Sequence, residues 1–204
     1  MKALLPFIAS AFVFATLPAV AKESAEVGKP APEFTLPGAD GKNHSPISEN
    51  KGKIVVLEWT NPGCPFVQKF YSPKEMQKLQ KEMKEKGVVW YRINSSAEGK
   101  EGYQTAEQAA KYDQAQGVEA KATLLDHDGK VGRLYGAKTT PHMYIIDTTG
   151  VLVYNGAIDD MATPRSGDIA LAKNYVRQAV DELLAGKPVS QSTTKPYGCS
   201  VKYK

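Results

Sequence analysis

After an apolar opening run from Leu4 to Val20, the hydrophobic positions come in short bursts. Lys53–Trp59, Val88–Asn94, Ala122–Leu125, Met143–Asp147 and Val151–Asn155 are apolar or β-branched runs of strand length. Such near-continuous runs mark strands covered on both faces. The stretches between them change period. Met76, Leu79 and Met83 share one face of a predicted helix from Lys74 to Lys86, and lysines and glutamates form its solvated side. Ser72-Pro73 separates it from a shorter helix ending at Tyr71, because proline cannot donate inside a helix. Thr105-x-x-Gln108 reads as a capping box for a helix ending near Gly117, and Val131–Tyr135 as one short helical turn. Ser166 is expected to cap a last helix from Gly167 to Ala185. Its buried stripe would be Ile169, Ala172, Val176, Ala179, Val180 and Leu183, and Gly186 and Pro188 would stop it. Near the front, Gly28–Pro32 reads as a linker, Phe34–Leu36 as an edge strand and Gly38–Lys42 as the turn of a hairpin. Strands alternating with helices and ending in a hairpin predict an α/β fold, with a mixed central sheet and helices on both faces.

The opening run is a different kind of segment. Lys2 supplies a positive start, Leu4–Val20 is the apolar region, and Ala19-Val20-Ala21 is a small-x-small cleavage pattern followed by polar Lys22-Glu23-Ser24. We read residues 1–21 as a signal peptide cut after Ala21, with no membrane span remaining. A periplasmic or secreted location follows. Residues 22–186 are then one domain, long enough to bury its own core, and 187–204 a C-terminal tail, with Gln191–Lys195 as a flexible tether. The net charge of +4 is dispersed among interleaved acids, which gives no footprint for nucleic acid.

The chemistry gathers at Asn61-Pro62-Gly63-Cys64-Pro65. A buried strand runs into a Pro-Gly breaker, and a cysteine is followed by a proline at the favoured first helical position. Cys64 is therefore predicted at the N-cap, where unpaired N–H groups and the positive helix end favour a thiolate, the condition for nucleophilic or redox chemistry. The one other cysteine, Cys199, lies in the tail. An even count in an oxidising compartment suggests a pair, structural or working. His44, His127 and His142 have no metal-ligand spacing, so no metal is expected. His127 reads as a solvated turn residue, while His142 reads as a packing group or a hydrogen-bonding neighbour of the thiol. Asp159-Asp160 reads as a loop pair with no second acidic cluster to make a calcium site. Trp59 and Phe66 read as core and site-wall residues.

Three local matches carry a resemblance. Asn61-Pro62-Gly63-Cys64 resembles the Thr-Pro-Gly-Cys that presents the peroxidatic cysteine in bacterioferritin-comigratory-type peroxiredoxins. Thr140-Pro141 followed by His142–Asp147 resembles the cis-proline loop and strand of thioredoxins. Glu58, six residues before the cysteine, stands where thioredoxins carry a buried carboxylate that moves protons. From about Gly28 to Gly186 the chain is similar to the thioredoxin-fold superfamily, and more closely to its peroxiredoxin-like, or redoxin (AhpC/TSA), branch. The resemblance implies a cis Thr140-Pro141 bond beside Cys64, with Thr140 backbone groups pairing with an incoming peptide or thiol. It implies Cys64 as nucleophile, Glu58 as proton relay, and Thr60, Asn61, Pro62, Gly63, Thr140 and Pro141 as positioning residues; from the residues alone, Glu58 in its apolar strand is either that relay or a carboxylate satisfied by a buried lysine.

The chain also departs from both patterns. Asn61 stands where peroxiredoxins place Thr or Ser, with Thr60 one residue further back, and no Arg opens the Met143–Asp147 strand. The Cys-x-x-Cys of thioredoxins is absent, since Asn61 and Val67 flank Cys64 at those spacings. Cys199 can supply what the local motif lacks: the segment from Lys187 to Gly198 reaches about 40 Å when extended, so a resolving thiol could arrive within the chain or across a homodimer. The expected activity is thiol-dependent oxidation and reduction on a small oxidant or a protein disulfide. An external thiol donor resets the pair, and no cofactor is needed beyond the redox-active disulfide. Two other readings stand beside it: a protein-disulfide reductase or exchange protein, and a redox-inert binding module stapled by Cys64–Cys199.

Overall fold

The computed structural model describes residues 24–204; the signal-peptide reading lies outside them. At its centre is a five-stranded sheet in the order β5-β4-β3-β7-β8. Strands β3 (Val55–Trp59), β4 (Val89–Asn94) and β5 (Ala122–Leu125) run parallel, and β7 (His142–Ile146) and β8 (Leu152–Gly156) run antiparallel to their neighbours. All five residues of β3 are buried, as a central strand of a two-sided sheet requires. In β8, at the sheet edge, buried and half-exposed positions alternate.

One face of the sheet is covered by α1 (Pro65–Tyr71), α2 (Glu75–Glu85) and α5 (Tyr175–Leu184), whose Val67, Phe70, Met76, Leu79, Met83, Val176 and Val180 pack on Val56, Trp90, Met143 and Ile145. The other face is covered by α4 (Lys130–Tyr135) and the N-terminal segment, where Phe34, Leu36, Leu134 and Tyr135 meet Leu57, Trp59, Ile93 and Tyr144. The predicted hairpin is present as β1 (Leu36–Pro37) and β2 (Asn43–His44). Helix α3 (Ala106–Gln116) starts with the capping box expected from Thr105 and Gln108 and ends at left-handed Gly117. Between α1 and α2 the chain turns through Ser72-Pro73, with Lys74 in the left-handed region (φ 66°). Among the described residues, no helix is long and apolar enough to cross a membrane.

Two expectations are corrected. The last helix does not begin at Ser166: residues Ser166–Leu171 form a 3-10 turn, and α5 starts at its cap Asn174, whose side chain accepts from the Arg177 N–H at 2.8 Å. The intervening residues are held extended, because Asn174 bridges Asp159, the Tyr175 N–H donates to Ile158 O, and the Lys173 N–H donates to Asp160. A continuous helix would break all three. Ala172 therefore lies outside the helical stripe, and Ile169 reaches the core only from the 3-10 turn.

The tail is the second correction. Its Gln191–Lys195 segment is laid along β8 rather than left as a free tether. Asn155 donates its N–H to Ser192 O and accepts from the Thr194 N–H, and the Thr194 hydroxyl accepts from the Ala157 N–H and meets Tyr154 OH at 2.6 Å. The chain then crosses to β6 (Thr139–Thr140) and pairs with it as β9 (Cys199–Ser200), antiparallel, with Thr140 opposite Cys199.

Candidate active site

Strand β3 delivers its last residues to the edge of the sheet where α1 begins. Thr60 still follows the strand, donating its N–H to Ile93 O, and then the chain turns at Asn61. The Asn61 side chain makes that turn. Its Oδ1 accepts from the Gly63 N–H at 2.8 Å while its Nδ2 donates to Glu101 O at 3.1 Å, and its carbonyl accepts from the Cys64 N–H at 3.1 Å. An Asx turn of this kind fixes a loop without any packing of its own. The neighbouring loop is shaped to receive it: Gly102 is in the left-handed region (φ +79°), and a Cβ there would lie 2.1 Å from Asn61 Oδ1.

Cys64 is the N-cap of α1, with extended backbone (φ −77°, ψ 123°), and Pro65 is the first helical residue. Its carbonyl receives the first helical N–H groups, from Val67 and Gln68. The side chain is fully buried. Its Sγ lies 3.1 Å from Thr140 O and 2.6 Å from Cys199 Sγ, both cysteines being free thiols. The Thr140-Pro141 bond is cis. Thr140 thus faces both sulfurs, its carbonyl toward Cys64 and its strand edge toward Cys199.

The two sulfurs differ in character. Cys199 is half-buried, and its thiol is pushed up to about 12 by desolvation, then by its contact with Cys64 and the charges of Cys64 and Glu101, against the opposing pull of Lys202. Cys199 is therefore protonated at neutral pH.

Glu58 lies on the same sheet face as Cys64, fully buried. Its carboxyl group accepts from Tyr71 OH at 2.9 and 3.0 Å, from Trp90 Nε1 at 2.9 Å and from Gln80 Nε2 at 3.3 Å. Burial pushes its pKa up, against the charge of Arg92 directly across the β3–β4 pair. No lysine pairs with it: three neutral donors, Tyr71, Trp90 and Gln80, satisfy its oxygens. Arg92 is itself buried. It donates to Asp113 and Thr123 and reaches Thr60 Oγ1 at 3.5 Å, with its guanidinium carbon 4.8 Å from the centre of the Tyr71 ring. The hydroxyl of Thr60 is thus turned toward Arg92.

The remaining candidates fall away from the sulfurs. His142 accepts from the Lys138 N–H on Nδ1 and places Nε2 2.7 Å from Asn155 Oδ1, so it ties β7 to β8. His127 stacks on Tyr103 and His44 pairs with Asp40. Among the described residues no group of acidic, His and Cys side chains could hold a metal ion. Trp59 is core, donating to Ser95, while Phe66 stands at the site wall, edge-on to Tyr197.

Two groups escaped the sequence reading. Asp159 is no surface loop residue: it forms a buried ion pair with Lys69 at 3.1 Å and accepts from Tyr197 OH. Arg92 was passed over inside a strand. The available signal was the same for Lys69 and Arg92, a lone cation in an otherwise apolar element, which must find an anion indoors.

Comparisons with known proteins agree with this geometry. The AhpC/TSA family model matches residues 27–155. No curated protein matches the chain. Among solved structures, an uncharacterized conserved protein from Geobacillus kaustophilus is 30% identical with a TM-score of 0.75, over 93% of this chain and 98% of its own. The hypothetical protein SMc02350 from Sinorhizobium meliloti 1021 is 27% identical, also at 0.75, over 89% and 97%. A protein from Chlorobium tepidum, provisionally named thiol:disulfide interchange protein DsbE, is 27% identical with a TM-score of 0.51, over 65% and 85%. With the family matched across more than half its length and the cysteine set where a thioredoxin fold begins its first helix, the chain is a redoxin and belongs to the AhpC/TSA family.

Proposed function

We propose that the chain is a thiol-dependent oxidoreductase in which Cys64 is the redox nucleophile and Cys199 of the same chain is the resolving thiol. The observation that carries this reading is the 2.6 Å separation of the two sulfurs at the start of α1. The Cys64 thiolate attacks one sulfur of a substrate disulfide, and the other sulfur leaves as a thiolate and takes up a proton. Cys199 then loses its proton and attacks Cys64 of the mixed disulfide. The second substrate thiol is released, and the chain retains a Cys64–Cys199 disulfide. Two electrons have passed to the substrate, and two external thiols return them.

The high pKa of Cys199 orders these steps. Burial holds it up first, and contact with Cys64 and the charge on Cys64 add to this. The latter two weaken once Cys64 is covalently occupied, so the resolving thiolate forms more readily after the first bond has formed. Glu58, whose burial favours the protonated form, is the group on that sheet face suited to take up and return the proton. Thr60, Asn61, Pro62, Gly63, Thr140 and Pro141 position the pair.

Between oxidants, the surroundings of Cys64 favour a disulfide over a peroxide. The Thr60 hydroxyl and Arg92 are turned toward each other and the Asn61 amide toward the loop, so these three groups are not aimed at the sulfur to polarise a peroxide. Family membership keeps peroxide as the second reading. The leader-like residues 1–21 support work outside the cytoplasm, where substrate disulfides persist.

The test is to oxidise the protein mildly, map its thiols by mass, and then compare turnover of a protein disulfide with stopped-flow consumption of hydrogen peroxide. We expect an intramolecular Cys64–Cys199 disulfide that mild thiols reopen and a clear preference for the protein disulfide. Cysteines that stay unpaired, or a bridge that mild thiols cannot open, would overturn the reading; the second result would mark a structural staple.

A further inference from the structure

Two residues before Cys199, the tail carries Tyr197, and its hydroxyl ends in a buried charge cluster. Lys69, on α1, is fully buried along its side chain, and Asp159 is nearly so. The Lys69 ammonium donates to Asp159 Oδ2 at 3.1 Å, to Met161 O at 2.7 Å and to Tyr197 OH at 3.3 Å, so each of its three protons has an acceptor. Tyr197 OH in turn donates to the other oxygen of Asp159. The Tyr197 ring stands edge-on to Phe66, with centroids 5.8 Å apart.

A buried ion pair adds little stability over an apolar trio of the same shape, since desolvation offsets most of its attraction. What it supplies is direction: the ammonium and the carboxylate accept only one placement of the phenol. That placement matters because Cys64 caps α1, Phe66 and Lys69 lie in its first turns, and Tyr197 and Cys199 meet α1 with one residue between them. The residue between them is Gly198, at a φ of +129°, where a Cβ would lie only 2.1 Å from Thr140 O, so the chain passes this close because there is no side chain. Helix α1 therefore holds one sulfur at its cap and, through Lys69, the anchor of the other.

We infer that Lys69, Asp159 and Tyr197 form a positioning clamp that sets the effective concentration of Cys199 at Cys64. The clamp decides how readily the pair closes and how often Cys64 is open to an outside sulfur. This rests on the redox reading above. An unclamped tail would spend more of its time away from the cap. The disulfide would then be easier to reduce, and the reduced Cys64 more exposed to small reagents.

The test uses the full chain with Tyr197→Phe, which keeps the ring against Phe66 and the Lys69–Asp159 pair intact, and Asp159→Asn as a second variant. Each is equilibrated with mixtures of reduced and oxidised glutathione, and the disulfide fraction is measured by mass after acid quenching. The rate of iodoacetamide capture of Cys64 is measured on Cys199→Ser proteins with and without Tyr197→Phe. We expect Tyr197→Phe to lower the equilibrium constant for the intramolecular disulfide about tenfold, the usual size of one lost hydrogen bond to a charged group. We expect capture of Cys64 to quicken by a similar factor, about tenfold, with Asp159→Asn moving in the same direction. Unchanged equilibrium and capture rates would overturn the clamp. If the parent chain forms no Cys64–Cys199 disulfide, the proposed redox function fails, and the clamp stands or falls on the capture rates alone.

Discussion

The loop before α1 and the C-terminal tail deliver one sulfur each to the same point by opposite means. At the loop, most of what places Cys64 lies within a few residues of it, in the Asx turn of Asn61, the cap geometry and Pro65, with one outside bond from Asn61 to Glu101 O. At the tail, everything that places Cys199 comes from elsewhere in the chain. Tyr197 is held by Lys69 and Asp159, Thr194 by Tyr154 and Ala157, and Cys199 itself by Thr140. Beyond it, the Lys202 carbonyl accepts from the Ala97 N–H, and Tyr203 OH donates to Ala137 O. A sulfur set by its own turn is fixed as soon as that turn forms. A sulfur set by distant contacts can be released without unfolding anything else.

Breaking each side should show that difference. The largest effect is at the sulfurs: Cys64→Ser should abolish turnover, while Cys199→Ser should still form a mixed disulfide with substrate and accumulate it, as intact mass would show. In Cys64→Ser the contact and charge that raise Cys199 are gone, so its titration, followed by thiolate absorbance, should fall from about 12. Acid is the next lever, through His142. Burial, with the Lys138 charge, holds its folded pKa at about 4, against an unfolded value of 6.5 and the opposing bond to Asn155. The unfolded state therefore binds the proton first as pH falls, and stability present above pH 6.5 is lost down to about pH 4. Up to about 3 kcal/mol should disappear over that window. Denaturant midpoints should show the slope, and His142→Asn should flatten it. Because Asn155 also pairs with Ser192 and Thr194, the tail should loosen along with the hairpin.

Gly198→Ala sharpens the tail side alone. It forces a side chain toward Thr140 O at a backbone angle that alanine disfavours, a strain of about 2 kcal/mol. The tail is held only by contacts, so the strain should appear mainly as faster capture of Cys64, with little change in melting temperature. Asn61→Ala is its counterpart at the loop. It removes the bonds to Gly63 N–H and Glu101 O and should cost about 1 kcal/mol of global stability. Loss of global stability from Gly198→Ala, or none from Asn61→Ala, would erase the contrast between the two regions.

The same contrast governs what could be read from the sequence. The sheet, the paired N-terminal strands, the α3 capping box and the cap position of Cys64 were legible because each is written in a short local pattern: an apolar run, a Thr-x-x-Gln, a Cys-Pro. The start of α5 was not, because Ala172–Asn174 is a good helical continuation by composition and is held extended only by pairing with residues 158–160. The tail read as a tether because Gln191–Lys195 is polar, while its partners on β8 and β6 lie about forty and sixty residues back in the sequence. Asp159 read as one of a loop pair for the same reason, its cation being on α1.

The single residue between Tyr197 and Cys199 carries one more consequence. Tyr197 precedes β9 and Cys199 opens it, and Gly198 between them turns at a φ of +129°. The thiol is thus brought to the helix cap through one bend that only glycine takes easily. Lengthening that bend by a residue would leave the phenol in its socket and carry the sulfur past the cap unused.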